Sequence, residues 1–242
     1  MTQIPDWREL MVYNPPVQQR APKAQQQPQE APQGGAFKFH GEVAENYDDK
    51  REGTEKWQVE QRIIEEMLAE LPAGTSVLDC PVGTGRFLRS YVRLGLDFIG
   101  MDISGDMLKK SALKLLRPEI VQEWIRACDA RDTILRLVIK DKGILIPGDI
   151  RQTGLPDKHV DVTVACRITR WMIGNHGPEG IVAMLQELQR VTRSKIILTA
   201  RVYGHRFAVT EDLIASALKG WKITKNIPGY ELAYRILELS AE

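Results

Sequence analysis

Three aspartates stand at the ends of segments that read as strands: Asp79 in VLDCPVGTG, Asp102 in FIGMD and Asp149 in IPGDI. After the first, Gly83 and Gly85 remove side chains where the backbone must turn tightly and approach a ligand. A helix starting there would aim its amide groups at the same point. Roughly 20 residues further on, Asp102 offers a carboxylate able to accept hydrogen bonds from both hydroxyls of a ribose. Asp149 can accept from an exocyclic adenine amine, with the Ile150 amide available to a ring nitrogen. Singly, an aspartate at a strand end is commonly a turn residue or a helix cap. In this order and behind a glycine loop, the three describe a nucleoside site.

Such a site needs strands whose carboxyl ends lie side by side, and the hydropathy pattern supplies them. The helical stripe of EKWQVEQRIIEEMLAEL, with Trp57, Ile63, Ile64, Met67, Leu68 and Leu71, is ended by Pro72. Then follow a strand SVLDC, a helix from about Gly85 to Leu94, a strand DFIGMD and a helix from about Ser104 to Leu116. Strands GILIPGD, VDVTVAC and KIILTAR come later, and alternation of this kind means a parallel sheet. After a helix near Glu211 to Leu218, WKITKNI and ELAYRILELS are separated only by PGY, the mark of an antiparallel hairpin. The expected fold class is α/β: a Rossmann-like, seven-stranded, mostly parallel sheet with a C-terminal antiparallel hairpin and helices on both faces. Residues 117–142 exceed a minimal strand-helix-strand unit, and IVQEWIRACDARDTILRLVI reads as an amphipathic helix. They are taken as an insertion that covers the substrate side.

The order of these segments resembles the class I S-adenosylmethionine-dependent methyltransferases, over nearly everything from Trp57 to the C-terminus. The resemblance implies that Asp79, Gly83, Gly85, Asp102, Asp149 and Ile150 hold S-adenosylmethionine, with Pro81, Ile103 and Cys166 counted in the same cofactor site. The chain departs from the family's acid-x-Gly-x-Gly-x-Gly loop at Pro81, where proline fixes φ and demands another turn geometry. A nicotinamide-dependent dehydrogenase is the rival enzyme reading. It fits worse, because GTGRFL has Leu88 where a dinucleotide loop needs its third glycine, and Asp79 would repel a phosphate. The NPPV stretch from Asn14 to Val17 lacks the aromatic residue of the amino methyltransferase signature. Cys80 precedes Pro81 after the first strand rather than following the fourth, so it is no cytosine C5 nucleophile.

Acceptor chemistry is expected in the loops after the fourth and fifth strands. CRITRWMIGN brings Arg167, Arg170, Trp171 and His176, and ARVYGHRF brings Tyr203 and His205. Arg167 can bind an acidic or phosphorylated group through its fork of donors. His176, Tyr203 and His205 are the candidates for a general base. Each has a plain structural alternative, as a salt bridge, a helix-entry residue or part of a solvated loop. GEVAENYDDKRE resembles the N-terminal lid of small methyltransferases, with Tyr47 as its aromatic contact, so residues 37–56 are read as a lid that excludes water.

With 33 Lys and Arg against 32 Asp and Glu, the formal charge is +1 and no global field draws the chain to nucleic acid or an anionic membrane. Cys80, Cys128 and Cys166 lie too far apart for a disulfide framework or a zinc site, so no metal is expected. Residues 1–36 form a tail rich in Gln, Pro and Ala, expected to be disordered, ahead of one domain spanning 37–242. Within that tail Ile4, Trp7, Leu10 and Met11 fall at helical spacing, which suits a docking element for a protein partner. With neither a signal segment nor a membrane span, the chain reads as cytoplasmic. A small-molecule acceptor is favoured. A nucleic-acid or protein methyltransferase and a non-catalytic cofactor-binding subunit are the alternatives.

Overall fold

The computed structural model describes residues 39–130, 136–139, 142–204, 208–231 and 233–241. The tail with its Trp7 element, and His205, lie outside the described residues. In chain order the elements are α1 (Glu42–Glu45), α2 (Glu55–Ala69), β1 (Ser76–Asp79), α3 (Leu88–Leu94), β2 (Asp97–Asp102), α4 (Gly105–Leu115) and α5 (Pro118–Asp129). There follow β3 (Leu137–Ile139), β4 (Gly143–Pro147), β5 (Val160–Ala165), α6 (Thr169–Val191), β6 (Thr192–Arg201), α7 (Glu211–Ala217), β7 (Trp221–Pro228) and β8 (Tyr234–Ala241).

The strands form one sheet in the order β3-β4-β2-β1-β5-β6-β8-β7. From β4 to β6 every pairing is parallel, while β8 runs antiparallel between β6 and β7. The order reverses between β1 and β5, which is where an open parallel sheet leaves a crevice at its carboxyl edge. Alternate residues serve opposite faces. Val77, Val162, Val164, Ile197 and Ile236 pack with α2 to α5, whereas Leu78, Ala165, Ile196, Leu198 and Leu237 pack with α6 and α7. Coverage on both sides explains why the strands read as nearly continuous apolar runs. Thr54, Ser104 and Thr210 cap α2, α4 and α7 through their side-chain oxygens, a placement that fixes where these helices begin.

Two details differ from the sequence expectation. Helix α3 starts at Leu88 rather than at Gly85, because Gly83 and Gly85 take φ of 55° and 78° and hold the segment before it in turns. Helix α5 stops at Asp129 instead of running to Ile139; Leu137–Ile139 is an eighth strand, paired antiparallel with β4 at the sheet edge. Helix α6 is broken at Gly177 (φ 63°, ψ −169°), directly before Pro178. Among the described residues no helix is long and apolar enough to cross a membrane, and no cluster of His, Cys, Asp and Glu could hold a metal ion.

Candidate active site

A cavity opens at the carboxyl ends of β1, β2 and β5, and Phe39 and Tyr47 from the segment before α2, with Trp57 of α2, are among the residues that line it. Of the residues singled out from the sequence, Tyr47, Asp79, Pro81, Gly83, Asp102, Ile103, Cys166, Arg167 and Trp171 all line it.

Asp79 is buried at the end of β1, where its Oδ2 accepts a hydrogen bond from the Tyr91 hydroxyl (3.1 Å). Burial pushes its carboxyl up to about 8, only partly offset by Tyr91. Asp102 accepts from the backbone N–H groups of Gly83 (2.9 Å) and Ser104 (2.8 Å), one on each oxygen. Burial raises its carboxyl to about 6 against the pull of those amides. The two glycines act differently. A Cβ on Gly83 would meet nothing within 4 Å, so there only the left-handed backbone demands glycine, whereas a Cβ on Gly85 would lie 2.7 Å from Leu88 and 3.0 Å from the Ser111 Cα. Gly85 thus stands behind the cavity wall and packs the loop onto α3 and α4. The Cys80–Pro81 peptide bond is cis, which is the turn geometry this loop uses in place of a first glycine.

Residues 39–54 are fastened to the domain by polar contacts. Ser104 donates to the Phe39 carbonyl (2.7 Å), Gly41 N–H donates to Asp106 (2.9 Å), and Thr84 donates to Asp48 (2.5 Å). Lys114 pairs with Asp48 at 2.8 Å and Lys110 with Glu45 at 2.7 Å. Phe39, Tyr47 and Trp57 stack edge to face, at 6.0 and 6.5 Å between successive ring centroids.

A second cluster was not foreseen. Glu60 of α2 is buried and receives Arg86 Nη1 (2.6 Å), Arg167 Nε (2.5 Å) and the Tyr234 hydroxyl (2.5 Å). Burial alone would raise its carboxyl, but Arg167 and Arg86 hold it below the usual value. Arg86 also lies 3.7 Å over the Trp57 ring. The signal in the sequence was spacing: Glu60 comes three residues after Trp57 and four before Ile64, on the apolar stripe.

Other expected residues lie away from the cavity. Asp149 is held by Arg151, whose Nη2 donates at 2.6 Å and whose backbone N–H donates at 2.8 Å. Ile150 is buried in the core beneath α6. His176 contacts Arg151 Nη1 at 3.2 Å and the edge of Trp171, and burial together with Arg151 lowers its pKa. Arg170 and Tyr203 are exposed and do not line the cavity. Nor does any described residue of 117–142: β3 forms the sheet edge beside β4, and α5 buries Val121, Trp124 and Cys128 in the apolar layer.

Residues 78–198, half of the chain, match the family model described as a methyltransferase domain. The chain belongs to this family. It is a class I S-adenosylmethionine-dependent methyltransferase, with S-adenosylmethionine as the methyl donor. No curated protein matches the sequence. Among solved structures, magnesium protoporphyrin IX methyltransferase from Synechocystis PCC 6803 with bound S-adenosylhomocysteine is similar at a TM-score of 0.61 and 15% identity, over 86% of this chain and 97% of that one. The same protein with bound S-adenosylmethionine gives 0.59 at 17% identity, covering 86% and 95%. The PH0226 protein of Pyrococcus horikoshii OT3 gives 0.57 at 14% identity, covering 84% and 100%. At these identities the likeness is one of fold.

Proposed function

We propose that this methyltransferase acts on a small molecule bound in the cavity beside residues 39–54. The observation that supports the reading is the cavity at the carboxyl ends of β1, β2 and β5, where the Phe39, Tyr47 and Trp57 rings stand beside Asp79 and Asp102. The balanced charge of the chain supplies no global field to attract a nucleic acid. The fold is also that of a methyltransferase named for a porphyrin.

The residues present fit S-adenosylmethionine. Asp79, whose recorded hydrogen-bond partner is a neutral hydroxyl, suits the ammonium of the methionine moiety, which would draw its carboxyl into the charged form. Asp102 is fixed by two amides and keeps lone pairs for the ribose hydroxyls. Ile103 offers the base an apolar surface at the rim. Asp149 lies outside this cavity with both carboxylate oxygens engaged by Arg151, so Asp102 and Ile103 carry the nucleoside in this reading. When bound, the sulfonium supplies an activated methyl group, so that much of the rate comes from holding an acceptor lone pair in line with it. Phe39, Tyr47 and Trp57 keep water from that space.

Incubation with methyl-labelled donor and fractionated cell extract tests the acceptor class. Label is expected in the low-molecular-weight fraction; label confined to nucleic acid or protein overturns the reading. Calorimetry tests the cofactor site: Asp79→Ala is expected to abolish donor binding, and unchanged affinity would remove Asp79 from the site.

A further inference from the structure

At the end of β5 the backbone of Arg167 takes φ +59°, a left-handed conformation that strains a residue with a side chain by about 1 kcal/mol or more. Its amide is held by Thr199 Oγ1 (2.8 Å), and its Nε by Glu60 (2.5 Å). Fixed in this way, the side chain forms part of the cavity wall and stays about 24% exposed, with its Nη2 buried and without a hydrogen-bond partner among the described residues. A buried, charged donor left unmatched is costly, and native sites seldom keep one unless something else satisfies it.

The local charge points to what that is. Glu60 is already shared between Arg86 and Arg167, so two guanidiniums facing one carboxylate leave one positive charge at the wall. Around it stand Trp57, Ile168 and Trp171, which are apolar. A ligand that complements this corner has an apolar, flat body and a single negative charge matched to a guanidinium edge. We propose that the methyl acceptor carries a carboxylate and that Arg167 anchors it through the edge of its guanidinium that stays open to the cavity. The inference rests on the reading above, in which S-adenosylmethionine takes the Asp79 and Asp102 side of the cavity and leaves Arg167 facing the acceptor.

The test uses the full chain saturated with S-adenosylhomocysteine, which fills the cofactor side with its own carboxylate, and titrates in benzoate or its uncharged counterpart benzamide by calorimetry near neutral pH. Benzoate is expected to bind at least about tenfold more tightly than benzamide, as a charge-assisted contact requires. Arg167→Met should erase that preference while leaving S-adenosylhomocysteine affinity within about threefold, and Arg167→Lys should keep part of it. Should Arg167→Met fail to fold, the wild-type preference and its reduction in Arg167→Lys decide the matter. Equal binding of benzoate and benzamide to the wild type overturns this proposal alone. A loss of about tenfold or more in S-adenosylhomocysteine affinity in Arg167→Met overturns it too, giving Arg167 to the cofactor's carboxylate. A wild type that does not bind S-adenosylhomocysteine overturns the cofactor reading together with this one.

Discussion

Asp79 is fully buried beside a hydroxyl, with its carboxyl raised from 3.8 to about 8 chiefly by desolvation. A carboxyl whose pKa is higher folded than unfolded binds its proton more tightly in the native state. Its contribution to stability is therefore complete below about pH 4 and is lost as the pH climbs through about 8. In the ligand-free protein Asp79→Asn is expected to raise the melting temperature near pH 8.5 and to leave it nearly unchanged near pH 4. Thermal melts at the two pH values check this, and an equal effect at both would remove burial as the cause. Glu60 is the opposite case. Although burial opposes its charge, Arg167 and Arg86 hold its pKa down, so its contribution is present above its ordinary value and lost as the pH falls. Glu60→Ala would leave both guanidiniums without that partner and is expected to destabilise by about 3–5 kcal/mol in denaturant titration. The two acids were not equally legible. Asp79 announces itself by ending an apolar run before two glycines, whereas the partners of Glu60 lie 26 and 107 residues away. No local pattern reports such distances.

Between Asp79 and α3 the chain spends its turn on two glycines with separate duties. Gly83 has free space around its missing Cβ but a left-handed φ, while Gly85 has both the left-handed φ and a close approach to Leu88 and Ser111. Gly85→Ala is therefore expected to destabilise by about 1–3 kcal/mol, and Gly83→Ala by about 1 kcal/mol, in equilibrium unfolding. A larger loss for Gly83→Ala would contradict the packing role of Gly85. At this scale the sequence was readable wherever an element is long enough to show a period. The bounds of β2 matched DFIGMD, and the helix at Glu211 ended within a residue of the expected place. Leu137–Ile139 continues a helical pattern in the sequence because three residues display no period of their own, and only pairing with β4 makes them a strand. The break in α6 was legible in principle, since Gly177 and Pro178 stand together inside an otherwise helical stretch.

For the molecule as a whole, the parallel core and the antiparallel finish follow from alternating element types and the tight connection before Tyr234. Which strands become neighbours is a global choice that handedness and burial make together. The crevice between β1 and β5 then falls where the reversal of strand order puts it, which is why three of the four strand-end residues Asp79, Asp102, Asp149 and Cys166 line one cavity. Asp149 does not; it lies beyond the end of β4 and is paired with Arg151, two residues on. The segment before α2 relates differently to the rest. Among residues 39–54 only Ala44 is buried, and the attachments to Thr84, Ser104, Asp106, Lys110 and Lys114 are polar and side-chain based. The two apolar layers that hold the sheet draw none of their buried members from this segment. Opening it parts the Phe39, Tyr47 and Trp57 rings but leaves both apolar layers of the sheet intact, so its free energy of opening should lie below that of global unfolding. Native-state hydrogen exchange is expected to be fast at the amides of residues 39–54 and slow in β1 and β5, and S-adenosylhomocysteine should slow the former selectively. Protection of the segment equal to that of the strands would contradict this. The protein can thus admit and discharge ligands by a small local fluctuation, at a rate that solvent ions tune, while its core remains native.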